Sequence, residues 1–161
     1  MPDRVEPAAG DASARLVKLL AEAKQLAKEY YALTGRPLGI TGEVAEYEVA
    51  RLLGVTLAPV RTEGYDATWV RGRKTEKLQI KGRCLAEGPK PGQRIGAIKR
   101  DKPWDVAILV LLDQDYEATA IWEADRQAVL AALDVPGSKA RNERGALTVS
   151  KFKAIGRQIW R

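Results

Sequence analysis

The chain has 161 residues, 45% of them apolar, and a net charge of +6 at pH 7, which suits one domain with a sizeable core. It contains no histidine and a single cysteine, Cys84, which excludes histidine-based triads, classical zinc sites and an internal disulfide. Any metal ion would therefore be a hard ion held by oxygen. No stretch reaches the roughly 20 apolar residues of a membrane span and the first residues lack a signal-peptide core, so we expect a cytoplasmic protein without membrane association.

The N-terminal third of the chain predicts a loose leader and two helices. Residues 1–12 are rich in Pro, Gly, Ala and acidic side chains without periodicity, as expected of a flexible leader. An amphipathic helix is predicted over 13–34, where apolar side chains recur at helical spacing, namely Leu16, Leu19, Leu20, Ala23, Leu26, Ala27 and Tyr30. A second helix is predicted over 42–54, with an inward stripe of Ala45, Val49, Leu52 and Leu53. Glu46 flanks that stripe, whereas Glu43 points nearly opposite to it.

Strand patterns dominate the middle of the chain. Apolar runs and alternation predict strands at 55–60, 65–70 and 76–84, with a turn between the last two. In the third strand, alternation places two sets of side chains on opposite faces. The core set is Leu78, Ile80 and Cys84, and the polar set is Gln79, Lys81 and Arg83. The continuous apolar run at 104–113 then predicts a strand buried on both faces.

The second half of the chain completes a mixed architecture. A strand at 116–124 is expected to form a hairpin with the buried strand, Asp125 to cap a short helix, and the tail from 145 to 160 to form a short strand leading into a small basic helix. Together the elements predict an α/β (α+β) sandwich, in which a mixed sheet of about five strands is flanked by helices. We expect a single domain over 13–161.

Positive charge is concentrated in two segments. Residues 71–102 hold eleven lysines and arginines against three acidic residues, and residues 138–161 hold seven against one. Such a separation of charge creates a local positive field, which favours a polyanionic partner. The alternative is that these basic segments are simply solvated surface.

Three polar residues on two adjacent strands form a candidate active site. Neighbouring strands lie about 4.8 Å apart, so Asp66 could meet Gln79 and Lys81 if the two strands form an antiparallel pair. A carboxylate, an amide oxygen and an ammonium suit phosphodiester hydrolysis, in which a divalent ion activates water and a lysine offsets negative charge. The same spacing also occurs by chance in ordinary hairpins of charged proteins.

The order of these elements and motifs resembles the PD-(D/E)xK nuclease superfamily, which includes restriction endonucleases and Holliday-junction resolvases. The resemblance covers residues 40–135 and rests on AEYEVARLLG, on GYDA and on QIKGR. It implies a restriction-endonuclease-like αβββαβ core at 40–135, to which the helix at 13–34 and a basic extension at 138–161 are added. It also implies a Mg²⁺- or Mn²⁺-dependent DNA endonuclease.

The resemblance assigns roles to individual residues. Asp66 matches the central metal-binding aspartate, although Tyr65 stands where a proline often precedes it. Lys81 matches the catalytic lysine, and the Ile80 carbonyl is implied as a further metal ligand. Glu46 corresponds to the metal-site glutamate of the resolvase first helix, whereas Glu43 is better explained as a first-turn acid that stabilises the helix dipole.

Gln79 departs from the family pattern, which has a glutamate at this position. An amide offers an oxygen but no charge, so metal affinity should fall. A Gln-x-Lys variant occurs in the Mrr-like branch of the superfamily. Two alternatives therefore stay open beside a working nuclease, namely a catalytically degenerate nucleic-acid-binding module and an accessory subunit that docks an acidic protein.

The remaining predictions concern partners. The loop 87–103 is too rich in Gly and Pro for regular structure and is well placed to hold phosphates. Together with the C-terminal segment, it supplies the candidate nucleic-acid-binding residues Lys90, Arg94, Lys99, Arg100, Lys102, Lys151 and Lys153. Trp69, Trp104 and Trp122 are expected in the core. Cutting both strands of a duplex would need two active sites, which favours a homodimer with the N-terminal helix as an available interface.

Overall fold

The computed structural model describes residues 9–59, 61–85, 88, 90, 92–135 and 146–161. Within these ranges the chain forms four helices and one six-stranded sheet. The helices are α1 (Ala9–Thr34), α2 (Thr41–Leu53), α3 (Arg126–Asp134) and α4 (Val149–Ile155). The strands are β1 (Thr56–Leu57), β2 (Ala67–Arg71), β3 (Lys74–Cys84), β4 (Val106–Leu112), β5 (Ala118–Asp125) and β6 (Arg157–Trp160). The mixed α/β class is confirmed, with six strands instead of about five.

The strands follow one another across the sheet in the order β1-β2-β3-β4-β5-β6. Only β3 and β4 are parallel, and the other neighbours are antiparallel. Parallel neighbours need a long crossover, which in most proteins contains a helix. Here the described residues between β3 and β4 contain no helix. The described part of this connection is therefore irregular.

Both faces of the sheet are covered. Every residue of β4 is buried, which confirms the prediction from its continuous apolar run. One face packs against α1 and α2. The opposite face packs against α3, α4 and the buried side chains Ile95, Ile98 and Trp104 of the β3–β4 connection. The polar face predicted for β3 is consequently not a solvent face, and Gln79 is only 4% exposed.

Two predictions about the ends of the chain need correction. The leader predicted over residues 1–12 overlaps α1, which begins at Ala9, while residues 1–8 lie outside the described residues. In the tail, the helix precedes the strand, because the Thr148 side chain accepts a hydrogen bond from the Lys151 N–H and thereby caps α4. The apolar residues after Gly156 then form β6, which pairs with β5.

The packing of α2 on β3 brings the candidate residues together. A Cβ atom added at Gly82 would lie 2.6 Å from the Ala45 Cβ and 2.8 Å from the Thr41 carbonyl oxygen, so only glycine permits this approach. Gly54 caps the end of α2. It adopts the left-handed conformation and donates its N–H to the Ala50 carbonyl. No described helix combines the length and apolar character needed to cross a membrane.

Candidate active site

Asp66 lies at the point where β2 stops pairing with β3. The two strands pair from Arg71 opposite Lys74 to Ala67 opposite Leu78, and β3 continues beyond this pairing to Cys84. The Asp66 N–H donates to the Leu78 carbonyl at 2.7 Å. Its side chain then accepts the next hydrogen bond of the ladder, from the Ile80 N–H to Oδ2 at 2.7 Å. The carboxylate is therefore held against the QIK segment.

The main chain of Ile80 shares this position. Within a strand, the N–H and C=O of one residue project to the same side. Because the Ile80 N–H points at Asp66, the Ile80 carbonyl faces the same gap between the diverging strands. This placement agrees with the predicted role of that carbonyl as an oxygen ligand.

Glu46 approaches the same gap from α2. Burial of its carboxyl, together with the negative charges of Asp66 and Glu43, raises the pKa of Glu46 to about 7, against the opposing positive charge of Lys81. Glu46 is half-buried and Glu43 is exposed, as predicted from their positions around the helix. The charges of Glu46 and Asp66 thus interact, which places the two carboxylates in one electrostatic neighbourhood.

Lys81 belongs to this neighbourhood as well. Burial lowers the pKa of the Lys81 ammonium, and the positive charge of Lys99 lowers it further. The negative charges of Asp66 and Glu46 oppose this shift. Its side chain runs beneath the β3–β4 connection, where a Cβ added at Gly96 would touch the Lys81 Cδ at 3.6 Å. A half-buried lysine with a lowered pKa between two carboxylates is a pattern that recurs at functional sites.

Gln79 is held differently from the other candidates. Its Oε1 accepts a hydrogen bond of 3.2 Å from the Lys99 N–H of the β3–β4 connection, and its side chain is buried. The amide thus fastens this connection to β3. An amide oxygen has a second lone pair, so the hydrogen bond does not use its whole acceptor capacity.

The donor set is composed of oxygen only. Asp66 and Glu46 supply carboxylates, and Ile80 and Gln79 supply neutral oxygens, the ligand types that Mg²⁺ and Mn²⁺ accept. Among the described residues, no three Asp, Glu, Cys or His side chains form a cluster suited to a metal ion. Besides burial, the negative charge of Asp66 raises the pKa of Glu46, and a divalent cation would relieve this repulsion, so the residues fit a hard cation with two charged ligands.

The two basic segments lie next to each other. Arg94 and Thr148 form an isolated antiparallel bridge. On either side of it, the Ile95 N–H donates to the Leu147 carbonyl at 3.0 Å, and the Val149 N–H donates to the Gln93 carbonyl at 2.8 Å. The β3–β4 connection is thereby tied to the start of α4. We call the side chains Arg94, Lys99, Lys151 and Lys153 around this junction the basic face.

The other predicted nucleic-acid-binding residues differ in their surroundings. Arg100 forms an ion pair with Asp134 at 2.5 Å, and Lys102 forms one with Glu63 at 3.1 Å. Lys153 lies over the Trp122 ring, 5.5 Å from its centre. Lys90 is exposed. The positive charges predicted as one group are therefore not equivalent.

Some contributors were not singled out from the sequence. Gly82 sets the distance between α2 and β3, and a glycine inside a strand pattern is a recognised signal for such an approach. The buried Glu48 binds Lys24 and Arg51 at 3.0 and 2.8 Å, and no local pattern marks it. Of the tryptophans predicted in the core, Trp104 is fully buried, whereas Trp69 and Trp122 are half-buried.

Asp66 lies at the gap between β2 and β3, its charge interacts with those of Glu46 and Lys81, and Gln79 is hydrogen-bonded to the β3–β4 connection. Carboxylates and an amine at such a gap can bind a cation and an anionic substrate together. No protein-family model matches the sequence, and no curated protein matches it significantly.

Proposed function

We propose that this chain is a metal-dependent DNA endonuclease that hydrolyses phosphodiester bonds at the gap between β2 and β3. The observation that carries the proposal is the 2.7 Å hydrogen bond from the Ile80 N–H to Asp66 Oδ2. It holds the carboxylate of one motif against the strand of the other, which supports the resemblance to PD-(D/E)xK nucleases.

The fold supports the same proposal. A helix, α2, is followed by three consecutive antiparallel strands, and β3 then pairs in parallel with β4. We propose that this part of the chain is the restriction-endonuclease-like core, with α1 as an N-terminal addition. The close packing of α2 at Gly82 supports a role for Glu46, because it brings the helix to the strand that carries Lys81.

Each residue then has a defined task. Asp66, Glu46, the Ile80 carbonyl and Gln79 would hold Mg²⁺ or Mn²⁺. When bound there, the ion would polarise the phosphodiester and lower the pKa of an attacking water. Lys81 orients that water or offsets negative charge that develops on the phosphate. The basic face holds the flanking phosphates of the DNA.

Two substitutions test the proposal with matched controls. Asp66→Asn keeps an acceptor for the Ile80 N–H and removes the charge, and Lys81→Ala removes the amine. Each should lower Mg²⁺-dependent cleavage of DNA by about 100-fold or more. Asp101→Asn and Lys77→Ala change an exposed aspartate and an exposed lysine of β3 and should leave cleavage unchanged. Cleavage that survives Asp66→Asn would contradict the assigned site.

A non-catalytic nucleic-acid-binding module is the second candidate, favoured by the hydrogen bond that engages Gln79 with the β3–β4 connection. In that case DNA affinity falls steeply with salt and is indifferent to chelators, because counterion release drives binding. Calorimetric titration with Mg²⁺ separates the two candidates. Binding by the wild type that is lost in Asp66→Asn supports the nuclease, and heat-silent titrations of both support the binding module.

A further inference from the structure

Helix α1 has two apolar stripes, and only one of them packs on the other residues that the structure describes. Ala27 is fully buried and, with Tyr31, joins the core beneath α2. On the same side, Lys24 binds Glu48 at 3.0 Å and Glu117 at 2.8 Å. These contacts fix α1 to the domain through its C-terminal half.

The second stripe is exposed to solvent. It runs along most of the helix with alternating spacings of four and three residues, through Ala12, Leu16, Leu19, Ala23, Leu26, Tyr30 and Leu33. The exposed fraction is 47% for Leu19, 59% for Leu26 and 87% for Leu33. This spacing is the a and d pattern of a coiled-coil seam. We call these seven residues the outer seam.

The outer seam is large enough to need a partner. With about 200 Å² for a fully exposed side chain of this size, its five leucine and tyrosine side chains expose roughly 500 Å². A standard interface buries about 800 Å² per partner, so the apolar side chains of the outer seam alone expose more than half of that area. In addition, residues 10–19 are exposed on every side, and an unsupported helical segment is marginally stable in water.

We propose that the outer seam packs against the outer seam of a second copy of this chain, as a parallel helix pair. A seam with heptad spacing is self-complementary, which suits an isologous dimer. The charged neighbours Arg15, Glu22 and Glu29 flank the seam, and no charge interrupts it.

The direction of the pair follows from where the domain is attached. Each residue of the inner stripe follows a residue of the outer seam by one position in the sequence. The inner stripe is therefore rotated by about 100° around the helix axis from the outer seam. It contains Leu20, Lys24, Ala27 and Tyr31. A twofold axis parallel to α1 therefore puts the two domains on opposite sides of the helix pair. An antiparallel pair would put both domains on the same side, where they would compete for the same space.

The molecular mass of the full chain in solution tests the proposal independently of any nuclease activity. Sedimentation equilibrium of the wild type should give twice the chain mass. Leu19→Glu/Leu26→Glu should weaken the dimer by about 100-fold or more, because like charges then face each other in two layers. Val70→Glu, at an apolar side chain of β2 that is 68% exposed, is the matched control and should stay dimeric.

Two results would overturn the proposal, namely a wild type that is monomeric at its highest soluble concentration and a dimer that is unchanged by the double substitution. Leu33→Glu keeps the test decisive if the double variant fails to fold, since this side chain makes few contacts in the monomer. In a Cys84→Ser background, Leu26→Cys should form a disulfide-linked dimer on oxidation and Val70→Cys should not. A dimer that does not cross-link at residue 26 would overturn the parallel arrangement.

Discussion

Gln79 is an uncharged side chain that contacts a loop and also belongs to the candidate metal site. It is buried, and its Oε1 accepts the Lys99 N–H, so the residue joins a loop to the strand that carries Lys81. A glutamate could make the same hydrogen bond and add a charge beside Asp66. Gln79 can thus serve both a structural and a metal-binding role. Replacing it with glutamate should lower the stability of the metal-free protein and raise its affinity for metal.

Gln79→Glu should separate these two roles. Without metal, the added buried charge should destabilise the protein by about 1–3 kcal/mol. With Mg²⁺, the extra negative ligand should raise metal affinity and recover the lost stability through binding to the folded state. Thermal unfolding with and without Mg²⁺ measures both effects. Gln158→Glu, at an exposed glutamine of β6, should show neither, and a Gln79→Glu variant indifferent to Mg²⁺ would argue against the metal site.

Glu48 governs part of the acid stability. Burial alone would raise the pKa of its carboxyl, but hydrogen bonds from Arg51 and Lys24, the charge of Lys24 and the Ala118 N–H together hold the pKa of Glu48 below its ordinary value. A carboxyl with a lowered pKa stabilises the folded state above its unfolded-state pKa of about 4.5. That stability is lost as the pH falls through the folded-state pKa.

Glu48→Gln should therefore flatten the pH dependence of stability. At pH 7 the variant should be less stable by about 2–4 kcal/mol, because Lys24 and Arg51 lose a buried partner. As the pH falls below the unfolded-state pKa of about 4.5, the difference from the wild type should shrink, and it should be smallest below the lowered folded-state pKa, where Glu48 is protonated in both states of the wild type. Urea unfolding between pH 3 and pH 7 measures this, and a difference that stays constant with pH would refute the assigned linkage.

At the scale of elements, the contact between α2 and β3 determines the geometry of the site. Gly82 lets α2, the helix that carries Glu46, lie directly on the strand that carries Lys81. The long extension of β3 beyond its pairing with β2 provides the gap itself. Site formation thus depends on one close approach and one early strand ending.

Gly82→Ala should disturb this contact. The added Cβ would lie 2.6 Å from the Ala45 Cβ, and overpacking of this kind costs about 1–3 kcal/mol. A lowered melting temperature, measured by circular dichroism, is expected together with reduced metal affinity. Gly39→Ala introduces the same methyl group where nothing lies within 4 Å and should leave both quantities unchanged. Equal melting temperatures for the two variants would show that the contact is not tight.

At the scale of the whole molecule, the fold concentrates positive charge beyond what the two segments do separately. The bridge between Arg94 and Thr148 joins the β3–β4 connection to α4. Ion pairs with Asp134 and Glu63 meanwhile reduce the charge that Arg100 and Lys102 offer to a partner. The basic face therefore contains fewer cationic side chains than the set of nucleic-acid-binding residues predicted from the sequence.

Salt titrations of DNA binding should distinguish the lysines of the basic face from Lys102, which is ion-paired with Glu63. Each phosphate contact contributes about 0.9 to the slope of log affinity against log salt. Lys99→Ala and Lys151→Ala should each reduce the slope by roughly that amount, and Lys102→Ala by less, because its ion pair with Glu63 already competes with a phosphate. Lys18→Ala, on the exposed part of α1, is the control. A uniform reduction in all four variants would indicate that charge alone and no particular face binds DNA.

Several elements were predictable because local chemistry defines them. The fully apolar β4 had to be buried on both sides, Asp125 had the side chain to accept the Ala128 N–H and cap α3, and Gly54 could end α2 in the left-handed conformation. The pairing of β2 with β3 follows from a short turn between two apolar runs. That turn also accounts for the predicted proximity of Asp66 to the QIK segment.

Other features were not predictable because they depend on what packs against a segment. The sequence shows one band of apolar residues in α1, but the domain covers only its inner side and leaves Leu19 and Leu26 exposed. Gln79 has the alternation of a solvent-facing residue, yet a loop distant in sequence buries it. The order of α4 and β6 depended on a cap at Thr148 and on a free edge of β5.

By itself, the sequence determined the mixed α/β class, the strands around the candidate site and the excess of positive charge, because each is written in local patterns of apolar, capping and charged residues. Only the tertiary structure decided that a loop buries Gln79, that the two basic segments are joined at Arg94 and Thr148, and which side of α1 the described residues leave uncovered. The physical reason is that electrostatic coupling and burial depend on distances between residues far apart in the chain, and periodicity carries no information about those distances.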